Sequence, residues 1–84
     1  MLNDNEYMIL ELLSKSSPVV FEDMFKELEG NFEYFELAGL IGKMQEKYLV
    51  TEISGKKIEI MKAGAKMLLE EKERRAELIR VIAG

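Results

Sequence analysis

The chain has no cysteine, no histidine and a single proline, Pro18. Without cysteine there are no disulfide staples and no thiolate nucleophile. Without histidine as well, imidazole acid–base chemistry and ordinary zinc sites are excluded. No stretch reaches the roughly 18 consecutive apolar residues that a membrane-spanning helix needs. No charged segment leads into an apolar one at the start, so a signal peptide is not expected either. The expectation is a cytoplasmic protein with no membrane partner. Nothing in the sequence marks a cofactor or small-molecule site. The carboxylate pairs Asp4 with Glu6 and Glu22 with Asp23 lie on a terminus and on a polar helical face with no convergent partner, so an enzyme is not expected.

What is present is an ordinary globular balance, 48% hydrophobic and 33% charged over 84 residues, which calls for one packed core. A chain of this size hides only about 60–65% of its unfolded surface on folding, so association is a natural supplement to its stability. The net charge of −4 is unevenly spread. Residues 1–30 carry seven acids against Lys15 and Lys26, and residues 31–47 carry Glu33, Glu36 and Glu46 against Lys43 and Lys47. Residues 48–66 reverse the sign, with Lys56, Lys57, Lys62 and Lys66 against Glu52 and Glu59, and the last 18 residues balance. A phosphate-facing surface is therefore expected around the one positive segment.

The hydrophobic rhythm sets out the elements. Tyr7, Met8, Ile9, Leu10, Leu12 and Leu13 fall almost all round a helical wheel, which predicts a central helix over about 5–13. Pro18 biases Ser17 to an extended conformation and stops that helix; Val19 and Val20 have the composition of a very short strand. Phe21, Met24, Phe25 and Leu28 make one apolar face at i, i+3, i+4 and i+7, predicting a second helix. Gly30 suits the left-handed residue that closes it, and Asn31 is the expected cap of the next. Leu37, Leu40, Ile41, Met44 and Tyr48 continue the helical spacing over about 33–47, with either Phe32 or Phe35 packing back on the second helix. The outward side of this third helix holds Tyr34, Ala38, Gly39, Gly42, Lys43 and Glu46.

After Tyr48 the period becomes two. Leu49, Thr51 and Ile53 share one face, as do Ile58 and Ile60, predicting a two-stranded hairpin around Ser54-Gly55-Lys56-Lys57. A Gly55-Lys56 tip sets Glu52 opposite Glu59, and a Ser54-Gly55 tip sets it opposite Lys57. From about Lys62 the chain is helical again. Its patches Ala65, Met67, Leu68, Leu69 and Leu78, Ile79, Val81, Ile82 are separated by the charged run 70–75, so Leu78 lies roughly 15 Å along the axis from Leu68. Residues 1–66 read as the domain, and residues 67–84 as a helix that continues it and serves pairing.

This mainly α layout, α1-α2-α3-β-hairpin-α4 with a tight connection at Glu29-Gly30-Asn31, resembles the winged helix-turn-helix superfamily. Lys47-Tyr48-Leu49-Val50 is similar to the segment leaving the recognition helix of MarR-type and PadR-type regulators, where Gly or a small residue usually stands at the position of Tyr48. Ile60 to Leu69 is similar to their Leu-Thr-x-x-Gly-x-x-x-Leu-Leu stretch, with Met61 in place of the helix-capping Thr. The resemblance implies a homodimeric DNA-binding transcriptional regulator. Tyr34, Ala38, Lys43 and Lys47 would face the major groove of double-stranded DNA, the wing residues Lys56 and Lys57 would contact phosphates, and Leu78, Ile79, Val81 and Ile82 would form the dimer contact. Against this, Glu33 and Glu36 stand where DNA-reading members carry Ser, Thr, Arg or Gln, and carboxylates facing phosphates lose Coulomb energy. The alternative reading is a protein-docking module that uses the small-residue face Ala38, Gly39 and Gly42.

Overall fold

The computed structural model describes residues 2–83. Four helices and a three-stranded antiparallel sheet follow in the order α1 (Asp4–Lys15), β1 (Val19–Val20), α2 (Phe21–Glu27), α3 (Tyr34–Glu46), β2 (Val50–Ile53), β3 (Lys57–Ile60) and α4 (Lys62–Ala83). The expected two-stranded sheet is thus corrected to three strands in the order β1-β3-β2, and β1 enters the element order between α1 and α2. Two residues suffice for this strand because its neighbours extend the ladder. Ile60 N–H donates to Ser17 Oγ at 3.0 Å on one side, and Phe21 N–H donates to the Lys56 carbonyl at 2.9 Å on the other.

Helix α1 starts on a reciprocal cap: Glu6 N–H donates to Asn3 Oδ1 at 2.8 Å while Asn3 N–H donates to Glu6 Oε1 at 3.1 Å. Its Ile9, Leu10 and Leu13 are fully buried, joined by Met24 of α2, Leu37 and Met44 of α3, and Leu49, Val50 and Ile58. Gly30 is left-handed as expected, at φ 88°, but it does not close α2, which ends at Glu27 with Leu28 as its C-cap; Gly30 sits in the following turn, closed by Asn31 N–H on the Leu28 carbonyl. Asn31 does not cap α3. Its N–H and side-chain amide both donate back to the Leu28 carbonyl. The cap of α3 is Glu33, whose N–H donates to Glu36 Oε1 at 3.2 Å. Of the two phenylalanines able to pack on α2, Phe32 is the buried one.

At the end of α3, Tyr48 N–H donates to the Gln45 carbonyl and Leu49 N–H to the Met44 carbonyl, both at 3.0 Å. This is the Schellman pair of bonds, which requires a left-handed residue at Tyr48. Tyr48 adopts φ 61° without glycine's freedom from a Cβ clash. The turn rotates the chain so that Val50, and not Ile53, enters the core. Leu49 is buried as well, while Ile53, next to the hairpin connection, is left 38% exposed, so the face of Leu49, Thr51 and Ile53 is not buried along its whole length. The register is also intermediate between the two expected. Ile53 pairs with Lys57 and Glu52 with Ile58, so the connection is the three residues Ser54, Gly55 and Lys56, with Gly55 at φ 82° and Lys56 at φ 57°.

Helix α4 begins without a side-chain cap. The Met61 carbonyl takes the first bond of the helix, from Ala65 N–H at 2.9 Å, and Met61 N–H donates to the Leu49 carbonyl at 3.0 Å, tying the helix start to the segment that follows α3. Gly64 makes this close approach possible, because a Cβ there would lie 2.1 Å from Leu49 O and 3.2 Å from a Leu10 methyl. Helix α4 runs unbroken across residue 66 for 22 residues. Its first half lies on α1, where Leu68 and Glu71 are buried. Among the described residues no helix is long and apolar enough to cross a membrane.

Candidate functional site

The outward side of α3 is built by the same spacing that builds the core. With about 100° per residue, the buried stripe Leu37, Ile41 and Met44 leaves Phe35, Gly39, Gly42 and Glu46 along the opposite line. Phe35 is 85% exposed. A Cβ built on Gly39 or Gly42 meets no atom within 4 Å, so internal packing does not require either glycine, although each costs the helix roughly 1 kcal/mol relative to alanine. Ala38 and Lys43 are exposed beside this line.

The remaining residues with an expected groove-facing role are held in different ways. Tyr34 is tied to α2: its ring meets Phe21 and Phe25 edge-on at 5.2 and 5.4 Å, and its hydroxyl lies 3.4 Å from Glu22 Oε1. Its other neighbour is Phe35, at 5.6 Å between ring centroids. Ala38, Gln45 and Tyr34 line a shallow groove of about 210 Å³ whose other bank is Glu52 and Lys56. Lys47 sits at the C-cap of α3 with Nζ 2.8 Å from Glu6 Oε2. Burial pushes the Glu6 carboxyl up, but the hydrogen bond from Lys47 and the Asn3 backbone N–H outweigh it and hold the group below the usual carboxylate range. Lys47 is therefore committed to neutralising a carboxylate that is 3% exposed. Lys43, Lys56 and Lys57 are exposed, and among the described residues none of them has a carboxylate within 4.0 Å.

Charge in this part of the chain is one-sided. Helices α2 and α3 with their connection, residues 21–47, carry seven acids against three lysines, which equals the net charge of the whole chain. Glu36 serves the cap of α3, and acids near a helix N-terminus are favoured by its dipole.

The second feature is the far end of α4. Glu71 receives hydrogen bonds from Arg74 and Arg75. The bond from Arg74 is the chief cause of its carboxyl being held down to about 2, and burial only partly opposes it. Arg75 also reaches Asp4 Oδ1 at 2.8 Å and stacks 4.0 Å above the Tyr7 ring. These contacts fasten α4 to the beginning of α1, so the two turns after Arg75 project past it. Leu78, Ile79, Val81 and Ile82 on those turns are 47–81% exposed. Leu78, Ile79 and Ile82 continue the Leu68-Glu71-Arg75 side of the helix beyond the surface that side covers.

Two of these features went unread in the sequence. The Glu6–Lys47 pair spans 41 residues, with no local signal. The exposure of Phe35 was signalled by its place opposite the Leu37-Ile41-Met44 stripe, a signal masked by the neighbouring Phe32. Comparison of the chain with family models, curated proteins and solved structures found no match.

Proposed function

We propose that this chain is a winged-helix module that docks a protein partner on the outward face of α3 and works as a homodimer through the projecting end of α4. The observation that carries the reading is the exposed Phe35 on a smooth track of small residues on α3, with Glu36 and Glu46 exposed along it and, among the described residues of that helix, Lys43 as the cation without a carboxylate partner. A nearly fully exposed phenylalanine is a natural anchor for another protein's apolar surface. A phosphate backbone instead demands lysines and arginines, and Lys47, which the resemblance would enlist, is occupied by Glu6. The homodimer is supported by four large apolar side chains exposed on two projecting turns, a feature that a second copy would cover symmetrically. The test is a photo-cross-linking phenylalanine analogue at Phe35 in the native cell. A discrete protein adduct is expected, and an adduct to nucleic acid alone would overturn the reading.

One observation favours the second reading, a DNA-binding transcriptional regulator. Lys56 and Lys57 stand at the β2–β3 turn with no ion-pair partner among the described residues, as a wing that grips phosphates would need. In that case the affinity for duplex fragments falls steeply with salt and is lost in Lys56→Glu with Lys57→Glu. Binding that is absent or insensitive to salt rejects this second reading.

A further inference from the structure

Resting on the docking reading, we infer that the outward face of α3 takes a basic amphipathic helix from its partner protein. Phe35 to Glu46 spans roughly 16 Å of helix axis, three turns, which matches three turns of a second helix laid alongside. At Gly39 and Gly42 no atom within 4 Å would meet a side chain, and small residues at a contact let two helix backbones approach to the short end of their usual separation. The exposed Phe35 ring, braced edge-on by Tyr34, closes one end of this track and offers an apolar wall to a leucine or isoleucine of the partner.

Charge identifies the rest of the partner. Glu36 flanks the track, Glu46 ends it, and Glu33 stands at its entrance; all three are exposed. Glu22 of α2 adds a further carboxylate beside the start of the track, 3.4 Å from the Tyr34 hydroxyl. Among the described residues of α3, Lys43 is the cation without a carboxylate within 4.0 Å, because Lys47 at its C-cap is held by Glu6. A partner helix with an apolar stripe over the glycines and lysines or arginines along its edges satisfies both features, and an acidic or neutral one satisfies only the first.

The experiment uses the full chain, labelled with nitrogen-15. It is titrated separately with a synthetic leucine–lysine amphipathic helix of about 15 residues, with its leucine–glutamate counterpart and with a short mixed-sequence DNA duplex. The leucine–lysine peptide is expected to shift the amides of Phe35–Glu46. Its affinity should fall at least roughly tenfold in Gly39→Gln with Gly42→Gln and in Phe35→Ser. The double glycine variant has open space for its new side chains, so its thermal midpoint should not fall, which separates a filled track from a damaged fold. A leucine–lysine peptide that leaves the α3 amides unmoved, or binds both variants as well as the parent chain, overturns the inference. Binding of the leucine–glutamate peptide in its place overturns the partner's charge and leaves the docking reading standing. Shifts of the α3 amides by the duplex, with none from either peptide, bring down both.

Discussion

Replacing Gly64 by alanine puts a methyl carbon 2.1 Å from the Leu49 carbonyl oxygen and 3.0 Å from its carbonyl carbon. The obstacle is backbone, so no rotamer change relieves it; the first turn of α4 must move away by at least about 1.3 Å to reach an ordinary contact distance. Overpacking of this kind costs about 1–3 kcal/mol. The movement also strains the bond from Met61 N–H to the same carbonyl, 3.0 Å long, at roughly 1 kcal/mol. Alanine returns up to about 1 kcal/mol in helix propensity. The expected net loss is about 1–3 kcal/mol, or a fall in thermal midpoint of roughly 4–24 °C for a domain of this size. Gly39→Ala and Gly42→Ala, with nothing within 4 Å, should each stabilise by up to about 1 kcal/mol. The assay is thermal and urea unfolding followed by circular dichroism at one fixed protein concentration, since association shifts the midpoint. Opposite signs at position 64 and at positions 39 and 42 are the expected pattern. A neutral Gly64→Ala would refute the close approach of α4 to Leu49, and destabilised Gly39→Ala or Gly42→Ala would show that the α3 track is already covered within the chain.

Tyr48→Gly removes a left-handed non-glycine residue whose side chain is 71% exposed. It should stabilise by about 1 kcal/mol or less in the same urea assay, and a loss of stability would show that the ring makes a contact that matters. The Glu71 carboxyl, held down to about 2 from an ordinary 4.5, binds its proton less readily folded than unfolded. Its contribution is therefore complete above about pH 5 and lost as the pH falls toward 2. Glu71→Gln should flatten the acid side of the stability profile, and an unchanged profile would mean that its two arginines do not hold it in solution. Ile79→Asp with Ile82→Asp should yield folded monomers by sedimentation. Removing the burial of two isoleucines from each protomer weakens association roughly a thousandfold or more. A parent chain that sediments as a monomer at the highest accessible concentration would end the dimer proposal.

The local elements were legible because each is set by neighbours a few residues away. The i, i+3, i+4, i+7 spacing of Phe21, Met24, Phe25 and Leu28 predicted α2, and Gly30 has the left-handed conformation expected, in the turn that follows the helix. The change of period after Tyr48 and back near Lys62 marked β2, β3 and the start of α4. Where two local solutions had nearly equal merit, the reading stopped or failed. Phe32 and Phe35 both flank the start of α3, and only the position of α2 selects Phe32. Two turns fitted Ser54 to Lys57, yet the third, with three residues, brings Val50 opposite Ile60 and Ile58 into the core. Asn31 has the composition of a cap, but its amide is taken by the Leu28 carbonyl.

Periodicity and turn chemistry therefore determined by themselves which segments are helices and strands, where they break, and that the last helix carries an apolar patch beyond its own core stripe, because these depend on interactions within a turn or two of chain. Only the tertiary structure decided which charges are free and which faces are bare. Lys47 is spent on a buried carboxylate 41 residues away, Arg75 joins α4 to α1 across 71 residues, and Gly64 packs on Leu49 while Gly39 and Gly42 pack on nothing. Such pairings depend on distances through space, which a pattern of neighbours along the chain does not encode.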